Sequence, residues 1–278
     1  MTTGAIIFAQ NNDTVDYIKL AVFAASRIQQ YLDIPVSIVT DSKGWLEKTY
    51  PNHIFDKIID VESSSRYYRK RFHDGSLASK TTEWKNLSRT TVYDLTPYDT
   101  TLVIDSDYII NSDILKHALD KNEDLQLYSK SLDISGWRDC KEFQRINEFS
   151  IPFYWATTFI FKKNNITKTF FTLIKYIKEN WDYYTALYNI ESILYRNDYA
   201  FSIAIHIMNG YREGYFSQEL PGTMVYTTDK DLLISINNNK LKFLVEKQNH
   251  LGEYVAATTT GLDVHVMNKI SLSRCLDE

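Results

Sequence analysis

Short apolar runs separated by one helical pattern make up the first sixty residues of the chain. Three of the runs have the length of a buried strand. They are residues 4–9, 36–39 and 55–61. Between the first two runs, apolar residues recur at helical spacing, which predicts a helix that begins near Asp13 or Thr14 and ends at Leu32. Short strands that alternate with a helix predict an α/β fold with a mostly parallel central sheet flanked by helices.

Between residues 62 and 95 the alternation of short apolar runs is interrupted. Residues 62–82 are polar and include a basic and aromatic group at 66–72. Such a run predicts a solvated loop, and a contact with a phosphate or an acceptor is the alternative. Residues 83–95 carry apolar side chains at helical spacing and predict a helix, which Pro97 ends.

The strongest single signal is the stretch 100–110. Its apolar run, residues 102–104, stops abruptly at Asp105-Ser106-Asp107, and apolar residues then resume. The run predicts a buried strand of a parallel sheet. Two carboxylates at the end of such a strand require water, a cation or hydrogen bonds, because an unpaired buried carboxylate costs several kcal/mol. Ligands bind at the carboxyl ends of strands in open α/β sheets, so this pair is a candidate site for a hard cation.

The second half of the chain predicts further elements in the same style. Residues 153–161 are β-prone, and residues 167–184 have helical spacing. Asn197-Asp198 is expected to cap a helix that stops at Asn209-Gly210, and residues 237–239 suggest a hairpin turn. No repeat and no linker is present, so we expect one domain over residues 1–278.

Composition narrows the class of protein. The chain has 278 residues, of which 44% are hydrophobic and 24% charged, which is enough for a sizeable core. Its net charge of −4 argues against a nucleic-acid partner. Cys140 and Cys275 show neither metal-site spacing nor a disulfide framework, which favours a reducing compartment. The apolar piece 5–9 is too short for a signal peptide and no stretch is long enough to span a membrane, so the expected location is the cytoplasm.

The motif Val103-Ile104-Asp105-Ser106-Asp107 resembles the metal motif of GT-A fold glycosyltransferases. The closest resemblance is to family 8, the group of glycogenin and the lipopolysaccharide galactosyltransferases. Arg89 precedes Asp105 at the offset where that family places a Lys or Arg, and Pro97-Tyr98-Asp99 leads into the strand in a similar way. The resemblance implies a single GT-A-like domain, with a nucleotide-binding half at 1–110 and an acceptor-binding half at 111–278.

The resemblance also implies a ligand set and roles for individual residues. It suggests a nucleoside diphosphate sugar, UDP-linked by preference, and Mn²⁺ or Mg²⁺ held by Asp105, Asp107 and His265. Strand alternation places Asp263 and His265 on one face. The other implied donor contacts are Ala9, Gln10, Asn11, Tyr17, Asp41, Arg89, Ser106 and Lys269. Of these, Tyr17 is expected to stack on a uracil, Lys269 to meet the diphosphate, and Arg89 to meet the phosphates or the sugar.

Asp198 matches the acidic residue that contacts the transferred sugar in family 8, and Arg89 and Asp198 are the candidate catalytic residues. Four further residues fall where a donor or acceptor sugar is expected: Trp137, Arg138, Trp155 and Thr157. The family retains the anomeric configuration, whereas an inverting reaction needs a base such as Asp198. The acceptor is a glycan, a protein or a small molecule.

Two other functions fit parts of the sequence. The Gly and the Pro-Trp that accompany the late lysine in family 8 are missing around Lys269. This departure leaves open a non-catalytic GT-A-like protein that binds a nucleotide or sugar. A phosphatase of the haloacid dehalogenase type also uses Asp-x-Asp after a strand. Its motif lies near the start of the domain and carries Thr or Val where this chain has Ile109, so it is the less favoured alternative.

Overall fold

The structure is a computed structural model that describes residues 2–62, 68–84, 88–138, 140–148, 150–191 and 194–277. The strands are β1 (Thr3–Phe8), β2 (Val36–Thr40), β3 (Lys57–Asp60), β4 (Tyr68–His73), β5 (Ser79–Trp84), β6 (Thr100–Asp105), β7 (Tyr108–Ile109), β8 (Leu125–Tyr128), β9 (Ser131–Asp133), β10 (Trp155–Lys162), β11 (Gln218–Glu219), β12 (Met224–Tyr226), β13 (Leu232–Asn237), β14 (Lys240–Glu246), β15 (Tyr254–Thr260) and β16 (Val264–His265). The helices are α1 (Tyr17–Leu32), α2 (Lys43–Thr49), α3 (Val92–Leu95), α4 (Lys116–Leu119), α5 (Asn165–Glu179), α6 (Trp181–Leu187), α7 (Asn197–Met208) and α8 (Lys269–Cys275).

A seven-stranded sheet forms the centre of the molecule, in the order β11-β8-β10-β6-β1-β2-β3. Strands β6, β1, β2 and β3 run parallel, and only β10 runs antiparallel to its neighbours β6 and β8. The interior residues of β1, β2 and β6 are buried, as expected for strands covered on both faces. The α/β fold with a mostly parallel, helix-flanked sheet is therefore confirmed.

A second, four-stranded sheet brings the end of the chain to the end of β6. Its order is β7-β16-β12-β9, and in it β16 pairs antiparallel with β7 so that His265 lies opposite Tyr108. The N–H of Val266 donates to the carbonyl of Asp107 at 2.8 Å. Asp263 closes the same junction, because its carboxylate accepts hydrogen bonds from the backbone of Asn111 at 2.7 Å and of Ser112 at 2.9 Å. Backbone pairing thus fixes His265 beside the carboxylates of the motif.

The segment from 68 to 95 differs from the sequence-based expectation. Residues 68–84 form an antiparallel hairpin of β4 and β5, in which Phe72 is buried and the flanking Arg69 and Arg71 are exposed. The charged residues on both faces hide the strand alternation in the sequence, which explains the loop prediction. The predicted helix at 83–95 is wrong in its first part, because β5 runs to Trp84, and a 3₁₀ turn at Ser88–Thr91 and the short α3 follow. Arg66, Tyr67 and residues 85–87 lie outside the described residues.

Several helix boundaries also differ from those predicted from the sequence. Asp16, and not Asp13 or Thr14, caps α1 by accepting from the N–H of Lys19 at 3.0 Å. The predicted helix at 167–184 is split into α5 and α6. Asn197 and Asp198 are the first residues of α7 and not its cap. The hairpin expected at 237–239 is confirmed as the turn between β13 and β14, where Asn238 adopts a positive φ of 52°.

Among the described residues, no helix combines the length and the apolar character that a membrane crossing requires. Cys140 and Cys275 are not joined in a disulfide.

Candidate active site

A cleft of about 580 Å³ opens at the carboxyl ends of β1 and β6. The β4–β5 hairpin lies on one side, the start of α7 on another, and the β16–α8 connection on a third. Parallel strands bring their carboxyl ends to the same edge of a sheet, which is where α/β folds bind ligands. The Asp-Ser-Asp motif, Asp198, His265 and Lys269 all line this cleft.

Three potential metal ligands meet at its base. One ligand atom from each of Asp105, Asp107 and His265 lies within 4.8 Å of the others. Asp105 is the last residue of β6, and the turn that follows carries Asp107 inward until it is 2% exposed. Nε2 of His265 lies 3.3 Å from Oδ2 of Asp107. Nδ1 of the same imidazole is buried without a hydrogen-bond partner among the described residues.

Two basic side chains neutralise the carboxylates. Nζ of Lys269 lies 2.5 Å from Oδ2 of Asp107, and the Arg89 guanidinium forms an ion pair with Asp105 and donates to the carbonyl of Ala156 at 2.9 Å. Burial works to raise the pKa of the Asp107 carboxyl, but Lys269 and His265 together hold that pKa well below its usual range. Burial lowers the pKa of Arg89, whereas Asp198 and Asp107 act in the opposite direction. Asp107 is therefore held in its ionised form at the base of the cleft, with cationic side chains beside the carboxylate pair.

The chemistry of this donor set fits a divalent ion. Carboxylate oxygens are the ligands that Mg²⁺ and Mn²⁺ prefer, and an imidazole nitrogen is acceptable to Mn²⁺. The compact grouping of Asp105, Asp107 and His265, together with the ionised state of Asp107, satisfies what such an ion requires.

The start of α7 forms the polar wall opposite β1. Oδ1 of Asp198 accepts from the N–H of Ala156 at 2.9 Å, and its Oδ2 lies 3.3 Å from the guanidinium of Arg196. A helix N-terminus favours a carboxylate in its first turn, which is where Asp198 stands. The carboxylate is 17% exposed, so it keeps an accessible edge toward the cleft.

Most of the residues singled out in the sequence line the cleft. Those that do so are Gln10, Tyr17, Arg89, Asp105, Ser106, Asp107, Trp155, Thr157, Asp198, His265 and Lys269. Tyr17 is 8% exposed, so its ring offers little open face for the expected stacking on a base. Its hydroxyl lies close enough to Asp107 that this carboxylate, after burial, raises the pKa of Tyr17.

Three predicted donor contacts lie away from the cleft wall. Ala9 is buried and its N–H donates to the carbonyl of Val39 at 3.0 Å. The side chain of Asn11 accepts from the N–H of Ile18 at 2.9 Å, and the carboxylate of Asp41 accepts from the hydroxyl of Ser42 at 2.9 Å. Ala9 therefore links the end of β1 to β2, and Asn11 links the same end to the start of α1.

Trp137 and Arg138 also lie outside the cleft. Trp137 is half exposed. The guanidinium of Arg138 is buried between Asp133 and Asp231, at 2.5 and 2.7 Å. Arg138 is thus engaged within the protein and does not reach the cleft wall.

Lys70 belongs to the group at 66–72, for which a phosphate or acceptor contact was the alternative to the favoured loop, and it lines the cleft. Trp84, Tyr195 and Arg196 also line the cleft and were not singled out as site residues. Lys70 as a residue is exposed, yet its ammonium lies 5.0 Å from the centre of the Trp84 ring. Burial of that ammonium, followed by repulsion from Lys269 and Arg196, lowers the pKa of Lys70 to about 8. The signal for Lys70 was the alternation of Tyr68, Lys70 and Phe72, which becomes visible once the segment is treated as a strand.

No protein-family model and no curated protein sequence matches the chain. The solved structures that it resembles include two glycosyltransferases. The glycosyltransferase GlyE of Streptococcus pneumoniae TIGR4 is 12% identical, over 80% of this chain and 46% of GlyE, with a TM-score of 0.44. The galactosyltransferase LgtC, in complex with donor and acceptor sugar analogues, is 12% identical, over 78% of this chain and 72% of LgtC, with a TM-score of 0.46. The chain thus spans just under half the length of GlyE.

Proposed function

We propose that this protein is a metal-dependent glycosyltransferase that moves a sugar from a nucleoside diphosphate sugar, UDP-linked by preference, to an acceptor. The observation that carries the proposal is the meeting of Asp105, Asp107 and His265 within 4.8 Å at the carboxyl end of β6. The pairing of β16 with β7 brings His265 there, although it lies about 160 residues later in the chain. Asp105, Asp107 and His265 would hold a divalent ion, Mn²⁺ or Mg²⁺, which would supply positive charge to offset the charge that develops on a leaving diphosphate.

The cations around the motif support a diphosphate as the group held beside it. Lys269, Arg89 and Lys70 all line the cleft and bring positive charge to it. Lys269 and Arg89 pair with Asp107 and Asp105, and both would turn to a diphosphate if a cation took over these carboxylates. Positive charge directed at the leaving group would stabilise the charge that develops on it. Gln10 and Tyr17, on the β1 side of the cleft, are then nearest to the nucleoside.

Asp198 is proposed to act on the sugar at the opposite side of the cleft. Its carboxylate is oriented by the N–H of Ala156, and its free edge can accept from a sugar hydroxyl. We propose transfer of a hexose with retention of configuration. In an inverting reaction, Asp198 becomes the base that takes the proton of the acceptor hydroxyl. The anomeric configuration of the first-formed product, followed by NMR, separates the two.

The cellular setting is part of the same proposal. Two cysteines that are not joined in a disulfide suit a reducing compartment, and we propose the cytoplasm. The acceptor is proposed to be a hydroxyl of a glycan, a protein or a small molecule.

Calorimetry with UDP in the presence and absence of Mn²⁺ tests the proposal. We expect UDP to bind measurably only when the ion is present. We expect Asp107→Ala to abolish this ion-dependent binding. Asp94→Ala is the matched control, because Asp94 is an exposed carboxylate paired with Lys175 on the surface. No UDP binding by the wild-type protein removes the proposal, and metal-dependent binding that survives Asp107→Ala removes the assigned ligand.

Hydrolysis of a panel of UDP- and GDP-sugars then identifies the donor. Turnover of one sugar above the others supports an enzyme. Tight metal-dependent binding without turnover of any donor, even with candidate acceptors, instead supports the non-catalytic binding protein.

A further inference from the structure

Tyr195, just before α7, carries a hydroxyl that the folded protein leaves unused. The residue is 3% exposed and lines the cleft, and its hydroxyl has no hydrogen-bond partner among the described residues. Its ring is held edge-on against Trp181, with centres 5.1 Å apart at 74°. The hydroxyl is therefore fixed in place by packing.

A buried hydroxyl without a partner is unfavourable, by about 1–3 kcal/mol, and folded proteins contain few of them. Phenylalanine would fill the same space without that cost. The indole N–H of Trp155 and the hydroxyl of Tyr17 are further buried donors on the same cleft that lack a partner among the described residues. Unpaired donors gathered at one cavity indicate a place for the acceptor atoms of a ligand.

The surroundings of the Tyr195 hydroxyl indicate which part of a ligand it meets. Burial raises the pKa of Tyr195 most, Asp198 raises it further and Arg89 lowers it, so the phenol is neutral and lies near both residues. Asp198 accepts from the N–H of Ala156 in β10, whereas Tyr17 follows β1. Because β10 and β1 flank β6 on opposite sides, Tyr195 and Tyr17 lie on different sides of the carboxylate motif.

A nucleoside diphosphate sugar is a linear molecule with the diphosphate in its middle. With the diphosphate at Asp105, Asp107 and Lys269, the nucleoside and the sugar must leave in opposite directions. The β1 side is occupied by Gln10 and Tyr17, which leaves the side of Tyr195 and Asp198 for the sugar.

We infer that the Tyr195 hydroxyl donates a hydrogen bond to one hydroxyl oxygen of the transferred sugar and thereby selects donors that carry oxygen at that ring position. This inference rests on the proposed function. A sugar hydroxyl that accepts from Tyr195 can donate its own hydrogen to Asp198, which satisfies both side chains. A site built to bond a hydroxyl discriminates strongly against an analogue without it, because the buried partner is left unpaired.

The test compares wild-type protein with Tyr195→Phe, using UDP, the UDP-hexose that turns over fastest, and the monodeoxy analogues of that UDP-hexose. Calorimetry with Mn²⁺ should give the same affinity for UDP in both proteins. Affinity and kcat/KM for the UDP-hexose should fall by about three- to tenfold in the variant. One deoxy analogue should be discriminated by the wild-type protein but not by Tyr195→Phe.

Tyr199→Phe is the matched control, since Tyr199 is a buried tyrosine one turn later that does not line the cleft. It should leave all of these affinities unchanged. Thermal unfolding provides an independent readout, because Tyr195→Phe removes an unpaired hydroxyl and should be at least as stable as wild type. A purely structural role instead predicts a loss of stability and no change in donor selectivity.

The failure of this inference is distinct from failure of the proposed function. If UDP and UDP-hexoses bind with the ion but Tyr195→Phe keeps wild-type discrimination among the deoxy analogues, the role of Tyr195 is overturned and the enzyme proposal stands. An equal loss of affinity for UDP and for UDP-hexose also overturns it, since the hydroxyl then acts on the nucleotide. If neither ligand binds to the wild-type protein, the proposed function itself fails.

Discussion

Two buried groups of charged residues in this protein are built from similar ion pairs but have different roles. In the first, Arg138 lies between Asp133 and Asp231, whose side chains are 2% and 0% exposed. In the second, at the base of the cleft, Asp105 and Asp107 face Arg89 and Lys269. Both contain two carboxylates with cationic partners, and both are largely shielded from water.

The two groups differ in whether their polar atoms already have hydrogen-bond partners within the protein. The guanidinium of Arg138 bonds both carboxylates, with Nη1 and Nη2 each 2.7 Å from Asp231. Asp231 also accepts from the backbone of Thr228 at 2.7 Å and of Glu246 at 2.9 Å. The cleft group instead includes an imidazole with an unpaired nitrogen and opens into a cavity. The group around Arg138 is therefore a closed network, whose bonds are all made within the protein. The group around Asp105 and Asp107 is an open network, which can exchange its partners for a ligand.

Breaking the closed network should give the largest effect on stability. Arg138→Met leaves two buried carboxylates without their counter-ion, and we expect the free energy of unfolding to fall by about 3–5 kcal/mol. Denaturant unfolding measures this loss. UDP binding with Mn²⁺, per folded molecule, should remain as in wild type.

Arg138→Lys sharpens the same comparison, because it keeps the charge but not the two-pronged geometry. Its loss of stability should lie between those of wild type and Arg138→Met. A change below about 1 kcal/mol in Arg138→Met would show that the network is not needed for folding.

Opening the cleft group should affect metal binding far more than folding. His265→Ala removes one of three ligands while the backbone pairing of β16 with β7 remains. Loss of a residue that merely orients a ligand weakens metal affinity about 10- to 100-fold, and the loss of a ligand should weaken it at least tenfold. A Mn²⁺ titration with UDP present measures the change. His250→Ala, an exposed histidine, is the control, and equal Mn²⁺ affinity in both variants would exclude His265 as a ligand.

The contrast also explains which features were visible in the sequence. The strand at 100–105 and its carboxylate end were predicted, because an apolar run followed by Asp-x-Asp is a local signal. The resemblance pointed to His265 as a candidate, but only the pairing of His265 with Tyr108 places it against the motif. Such pairing joins residues far apart in the chain and leaves no local pattern.

Other features were hidden for chemical reasons. Charged residues on both faces of β4 made the hairpin look like a loop, so the phosphate or acceptor contact remained the less favoured interpretation of the group that contains Lys70. Arg138 looked like a candidate for sugar binding because its two partners, Asp133 and Asp231, are invisible as partners in the sequence. Tyr195 is one of 20 tyrosines, and what marks it out is structural: a buried hydroxyl without a partner among the described residues, next to the start of α7.

Asp263 is a buried carboxylate that belongs to neither group, and it predicts a pH dependence of stability. Burial raises its pKa to about 6, although Asn111 and Ser112 donate to it. The folded state therefore holds the proton more tightly than the unfolded state, and stability should fall as pH rises from about 4 to about 6 and then level off. Asp263→Asn keeps an acceptor oxygen and loses the charge, so it should lack this slope and be more stable than wild type at pH 8, by about 1–2 kcal/mol.

Thermal or denaturant unfolding between pH 4 and pH 8 measures the difference for Asp263. Asp113→Asn, an exposed neighbour, should follow the wild-type pH dependence. A stability difference between Asp263→Asn and wild type that does not change with pH would contradict the raised pKa.

The smallest expected effect lies at the rim of the open group, at Lys70. With its pKa lowered to about 8, this ammonium is half deprotonated at pH 8, and a bound diphosphate should draw a proton back onto it. UDP affinity with Mn²⁺ should therefore fall about three- to tenfold between pH 7 and pH 9, a loss of about 1 kcal/mol. Calorimetry in buffers of different ionisation enthalpy should detect proton uptake at pH 8. Lys70→Arg stays charged over this range and should show neither the fall nor the uptake, so equal behaviour of the two proteins would separate Lys70 from the diphosphate.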